Sequence, residues 1–114
     1  MASDEIKMID IGRDFSPVPA GRHRADGDFS GEVFRDEFLA PALRSASLVT
    51  VVLDNTEGFG SSFLEEAFGG LVRNCGFSKN TLHKQLQLVA NSPAAKRYSA
   101  KILQYIDQAS PARP

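Results

Sequence analysis

The amino-acid order predicts an α/β layer fold: about four strands in a mostly parallel sheet, packed with three amphipathic helices. Three observations carry the prediction. β-branched or alternating runs at 6–11, 48–53 and 85–90 are separated by segments whose apolar residues recur at helical spacing. The run Leu-Val-Thr-Val-Val-Leu at 48–53 is continuous, the pattern of a strand covered on both faces. Strands that alternate with helices join in parallel through right-handed crossovers.

The elements follow in order. Ile-Lys-Met-Ile-Asp-Ile at 6–11 predicts the first strand. Residues 14–19 hold Pro17 and Pro19 and so cannot be a central strand, but leave room for a short edge strand running toward Arg22. Ala-Asp-Gly-Asp at 25–28 is turn chemistry. Ser30 is placed to cap a helix over 31–44, with Glu32 in its first turn and Phe34, Phe38, Leu39 and Leu43 on one face. Pro41 cannot donate to the carbonyl of Glu37, which predicts a kink or break. A second helix over 63–74 carries Leu64, Ala67, Phe68, Leu71, Val72 and Cys75 as its stripe. Gly69 and Gly70 cost this helix up to ~1 kcal/mol each, which a close approach to the sheet would justify. Gly76 ends it in a left-handed cap. A short helical turn at 78–83 and a strand at 85–90 precede Ser92-Pro93, an N-cap followed by proline at the first helical position. The last helix runs to about Gln108, with Tyr98, Ile102, Tyr105, Ile106 and Ala109 on one face. Residues 6–109 are thus expected to form one domain, with flexible ends at 1–5 and 110–114.

Composition narrows the function classes. The chain has 114 residues, 42% hydrophobic and 24% charged, enough for one core. A net charge of −1 argues against a nucleic-acid binder, which carries a basic surplus or stripe. No apolar run approaches the ~20 residues of a membrane span, and the first residues lack signal-peptide character, so a cytoplasmic location is expected. Cys75 is the only cysteine and reads as a packed thiol. His23 and His83 have no cysteine partners at ligand spacing, so no metal site is expected, and no P-loop or dinucleotide fingerprint implies a cofactor. No Ser/His/Asp set assembles a catalytic centre.

The segment Leu-Asp-Asn-Thr-Glu-Gly-Phe-Gly-Ser-Ser-Phe-Leu-Glu-Glu at 53–66 is the most informative. It takes a strand through a tight turn and delivers Ser61 and Ser62 to a helix N-terminus, where unpaired amides and the helix dipole converge. Two readings stand. Ser62-Phe-Leu-Glu65 fits a capping box, worth roughly 1 kcal/mol. The same hydroxyl is also placed to accept a phosphate, favoured by the dipole and opposed by Glu57, Glu65 and Glu66.

Val49-Thr-Val-Val-Leu53, Glu57-Gly-Phe-Gly-Ser-Ser62, the helix at 63–73, the 31–43 helix with Phe34 and Pro41, and the Ser92-Pro93 start together resemble the STAS domain of anti-sigma factor antagonists. Within it they resemble the STAS-like group of small bacterial proteins of poorly defined function. The resemblance implies a serine phosphoacceptor at the helix start and a partner ATPase of the histidine-kinase-like superfamily. Aligned through the serine pair, the acceptor is Ser62, with Ser61 second. The acid that precedes the serines in STAS antagonists falls on Gly60, and the glycine that follows them falls on Phe63.

The expected function is therefore a non-enzymatic regulatory domain docking a protein through Glu57, Phe59, Gly60, Phe63 and Glu66 around the serines. The alternative is a small phosphate- or nucleotide-binding or enzymatic protein that uses Arg22, His23 and Arg24 with Asp54. A homo-oligomer through the second helix is a third expectation.

Overall fold

A computed structural model describes residues 5–111. Three strands, β1 (Ile6–Asp10), β2 (Leu48–Val52) and β3 (Leu86–Val89), form one sheet in the order β1-β2-β3, with both pairings parallel. The register sets Ile9 beside Val51 and Val51 beside Leu88 on the face that packs against the helices. The opposite face carries Ile6, Met8, Leu48, Thr50, Val52, Gln87 and Val89. It is open at β1, where Ile6 and Met8 are exposed. The continuous apolar run of β2 therefore does not reflect helices on both faces. Val49 and Val51 are sealed under helices, whereas Leu48 and Val52 are only half-buried.

The fourth strand is absent among the described residues. After β1 the chain enters a π turn at Ile11–Phe15 instead of an edge strand. Asp10 accepts from the Arg13 amide (3.2 Å) and from Asn55 Nδ2 (2.6 Å), and Asp14 accepts from the Asp10 amide (2.7 Å). Pro17 and Pro19 then withhold the N–H groups a ladder needs. Of the ends expected to be flexible, 1–4 and 112–114 lie outside the described residues.

Helix α1 spans 31–45 and is capped by Ser30, whose Oγ accepts from the Val33 amide (3.3 Å). Pro41 does not break it. The helix widens into a π turn at Arg35–Leu39, with the Ala40 amide bonding the Arg35 carbonyl, and Pro41 enters the first turn of the segment that follows. Shifting the ladder before the ring lets the helix continue. Gln85 Nε2 then caps its far end by donating to the carbonyls of Leu43 (2.5 Å) and Ala46 (2.6 Å).

Helix α2 spans 61–73 and also widens into a π turn, at Glu65–Gly69. Gly76, at φ +78°, follows it in the left-handed region, as expected. Helix α3 (Lys79–Gln85) is capped by Ser78, and α4 (Pro93–Gln108) by Ser92, whose Oγ accepts from the Ala95 amide (3.0 Å). Ile102 and Ile106 of α4 are buried. Among the described residues, no helix is long and apolar enough to cross a membrane.

The two π turns meet at a buried ion pair. Arg35 Nη1 of α1 donates to Glu66 Oε2 (2.5 Å) and to the Glu66 carbonyl (3.1 Å), and both side chains are 5% exposed. Two glycines permit the approach. A Cβ on Gly70 would collide with the Arg35 guanidinium, and a Cβ on Gly31 would lie 2.5 Å from the Phe63 carbonyl oxygen. Gly70 thus serves helix-to-helix contact, and Gly69 faces the Glu65 carboxylate and the α4 backbone at Tyr105; the expected close approach to the sheet is not their reason. The pair also carries a stability consequence. Arg35→Met alone is expected to cost about 3 kcal/mol, because it leaves a buried carboxylate short of its main partner. Arg35→Met with Glu66→Leu should recover most of that loss in urea unfolding, a coupling that a double-mutant cycle measures directly.

Candidate functional site

The carboxyl ends of the parallel strands and the mouth of α2 share one edge of the molecule. Parallel sheets present chemistry at this edge because the loops leaving the strands converge there. Three ties hold the 53–60 loop. The Leu53 amide donates to the Val89 carbonyl (3.0 Å), and the Glu57 amide donates to the Pro17 carbonyl (2.8 Å). The ring of Phe59 meets Tyr98 of α4 edge-on at 5.1 Å. Gly58 sits between them at φ +145°, a conformation that side chains disfavour.

Asp54 is the junction between this loop and α4. Its carboxylate accepts from the Asn91 amide (2.9 Å), Asn91 Nδ2 (3.1 Å) and the Ser92 amide (3.0 Å). These donors, the Ser92 and Asn91 backbone amides first, hold its pKa below the usual carboxylate value. Three of its acceptor positions are used to join the loop to the start of α4, the role of a turn-forming aspartate.

At the mouth of α2 the expected capping box is absent. Gly60, not Ser62, is the N-cap (φ −75°, ψ 151°), and it brings no side-chain acceptor. Glu65, which the box would turn back to the Ser62 amide, instead pairs with Arg22 and with Arg73 (2.8 and 3.2 Å). The helix starts at Ser61 because the Leu64 amide closes onto the Gly60 carbonyl (3.2 Å). Ser61 and Ser62 are both exposed, and neither hydroxyl has a hydrogen-bond partner among the described residues. A Cβ at Gly60 would meet nothing within 4 Å, so there is room for an acidic side chain where the STAS pattern has one.

The residues expected to dock a partner divide. Glu57 and Gly60 are exposed beside the serines. Phe59 and Phe63 are not surface anchors: Phe63 is 0% exposed, stacked on Phe59 at 5.8 Å and packed against Phe34 at 6.0 Å. Phe63 lies on the same helical face as Ala67, which turns inward. Glu66 also faces the core, held by Arg35, by Asn74 Nδ2 (3.2 Å), by Arg22 (3.3 Å) and by Arg73 (3.4 Å). The exposed apolar groups near this edge are Val18 (53%) and Phe29 (47%) instead. Phe29 stands edge-on to Phe15 at 5.5 Å, and the Ala20 amide donates to its carbonyl (3.0 Å). Neither residue had a periodic pattern to reveal it, since both lie in irregular chain that only the tertiary fold brings to the serines.

The basic loop is likewise committed internally. Arg22 pairs with Glu65 and Glu66, Arg24 with Glu37 (2.9 Å), Asp36 (3.6 Å) and Glu32 (3.7 Å), and His23 approaches Glu32 (3.7 Å). Asp26 accepts from the amides of His23 (2.8 Å) and Arg22 (3.1 Å) and closes the turn. Arg22 and Arg24 of the expected anion site thus already pair with the chain's own carboxylates. Cys75 packs half-buried against the core, and His83 is exposed, with its Nε2 2.7 Å from Asp107 Oδ1.

A family model described as a STAS-like domain of unknown function matches residues 30–96, more than half of the chain. The chain belongs to that family. Neither the curated proteins nor the solved structures gave a match. The matched span opens at the Ser30 cap of α1 and closes in the first turn of α4, so this STAS-like core includes β2, α2 and the serine pair. β1 and the Arg22 loop lie outside it.

Acid should act on this edge through two carboxyls. Burial pushes the Glu65 carboxyl up, but hydrogen bonds from Arg73 and Arg22, with their charges, outweigh it and hold its pKa down, as the backbone amides do for Asp54. Folded values below the unfolded ones give stability that is complete above about pH 5, is lost progressively below the unfolded pKa, and is gone once pH falls below the folded pKa. Glu65→Gln and Asp54→Asn are each expected to flatten the acid limb of a stability curve measured by urea unfolding between about pH 2 and 7.

Proposed function

We propose that this STAS-like chain is a non-enzymatic regulatory or adaptor domain. It docks a protein partner at the α2 mouth, and Ser62, with Ser61 second, accepts phosphate from a histidine-kinase-like ATPase. One observation carries the reading: two neighbouring serine hydroxyls stand exposed and unbonded at a helix start whose cap, Gly60, leaves the first-turn amides without a side-chain acceptor. A hydroxyl engaged as a cap would have to be released before transfer; these need no such step. First-turn amides favour an added anion.

The docking surface in this reading is Glu57, Gly60, Ser61 and Ser62, bordered by Val18 and Phe29 as apolar anchors. Exposed aromatic groups beside a polar rim are where binding energy concentrates. A phosphate there adds close to two negative charges, and it acts by repelling the docked partner more than by refolding the domain. The nucleotide-binding alternative is the less favoured reading, because Arg22 and Arg24 already pair with carboxylates and Asp54 bonds Asn91 and Ser92.

Incubation with such an ATPase and ATP, followed by intact-mass measurement, should show one added phosphoryl group on the native chain and none on Ser62→Ala. An unchanged mass on both, or an equal gain on both, removes the switch. Phe29→Ala should weaken binding of the unmodified chain about tenfold, a loss near 1.4 kcal/mol that titration calorimetry resolves.

A further inference from the structure

Arg22 reaches the Glu65 and Glu66 carboxylates of α2 from the loop before α1. Its side chain is 35% exposed. Only Nη1 is engaged, shared between Glu65 and Glu66 (3.3 Å for the latter). Nε and Nη2 carry no hydrogen bond among the described residues. Ser62 lies three and four residues before those two glutamates, on the same side of α2, where neighbouring Cβ atoms stand ~5–6 Å apart. The backbone brings the loop to the same place. The Glu32 amide donates to the Arg22 carbonyl (3.0 Å), the Gly31 amide donates to the Gly21 carbonyl (3.0 Å), and a Cβ on Gly31 would lie 2.5 Å from the carbonyl oxygen of Phe63, the residue after Ser62.

We propose that Arg22 is the internal receptor for a phosphate on Ser62, exchanging its carboxylate partners for the phosphoryl oxygens when that serine is modified. This rests on the phosphoacceptor reading of Ser62. In the transfer, Ser62 Oγ forms a bond to the γ-phosphorus of ATP, the β–γ bridging bond breaks, ADP leaves and the hydroxyl proton passes to solvent.

The network can release Arg22 without loss of its buried pair. When Arg22 leaves, Glu65 keeps two contacts from Arg73, and Glu66 keeps Arg35 and Asn74, so no buried carboxylate is orphaned. Arg35 cannot serve, since it is 5% exposed and fixed between Glu66 and Asp36 (2.9 Å). Arg73 reaches the same Glu65 carboxylate (2.8 and 3.2 Å) from eleven positions along α2, with both of its Nη atoms engaged there, whereas Arg22 spends only Nη1. A phosphate carries more charge than either glutamate and presents several oxygens to the fork that Nε and Nη2 leave free. The carboxylates of Glu57, Glu65 and Glu66 would repel the phosphate, and Arg22, with Nε and Nη2 unspent, is a cation free to offset them. Because backbone bonds hold Gly21 and Arg22 to α1, the exchange is a swing of the side chain, and it joins the loop carrying Phe29 to the state of Ser62.

The test installs phosphoserine at position 62 during translation and follows its second ionisation by ³¹P NMR, so it needs no kinase. Pairing with a guanidinium lowers that ionisation from its usual value near 6. The midpoint in the native background and in Arg73→Gln should lie at least ~0.5 pH unit below that in Arg22→Gln, with Arg22→Lys in between. Equal midpoints for the native background and Arg22→Gln overturn the proposal, and so does a shift in Arg73→Gln as large as that in Arg22→Gln. Failure here leaves the intact-mass experiment to decide separately whether Ser62 is modified at all.

Discussion

The buried pair between Arg35 and Glu66 is the constraint on which the arrangement of the helices depends. Two charges 5% exposed are tolerable only where their remaining hydrogen-bonding capacity is met. Here it is met by the Glu66 carbonyl, Asp36, Asn74 and two further arginines. Satisfying those groups requires α1 and α2 to approach closely, which Gly31 and Gly70 allow, and both helices widen to π turns at the contact. An apolar contact of the same area would leave the two helices freer to slide. The directional bonds set one register between them.

That register places the functional edge. It brings the start of α2 against the loop before α1, on the side where Arg22 meets Glu65 and Glu66. It also draws in charges that an isolated reading of the chain directs outward. Arg22, Arg24, Glu65 and Glu66 are consumed by one another or by neighbouring carboxylates. The groups exposed at the edge include the two serine hydroxyls, Glu57, Val18 and Phe29.

The elements legible in the sequence are those governed by nearest neighbours. Ser30, Ser78 and Ser92 cap helices through bonds to amides three residues on, and Gly76 ends α2 through its own φ angle. Periodicity located β1, β2, β3 and the three long helices within a few residues. It also selected most of the core, including Phe34, Leu39, Phe68, Ile102 and Ile106. Where local logic failed, a distant group had intervened. Ser62 loses the capping box because Glu65 is claimed by Arg22, 43 residues away in the chain. The edge strand at 14–19 gives way to a π turn that Asn55 stabilises through Asp10 from 45 residues away.

By itself, then, the amino-acid order determined the α/β class, the strand–helix alternation, the STAS-like family and the position of a serine pair at a helix start. The class and the alternation follow from spacing and side-chain shape, which act within a turn or two, and the family follows from a resemblance that the family model bears out. Only the tertiary structure decided that the sheet has three strands with one open face. The same is true of the burial of Phe59, Phe63 and Glu66, the neutralisation of the basic loop and the freedom of the serine hydroxyls. Each of those depends on which groups from remote segments reach a given donor or acceptor first, and a buried charge takes the nearest complete set of partners wherever the chain supplies it.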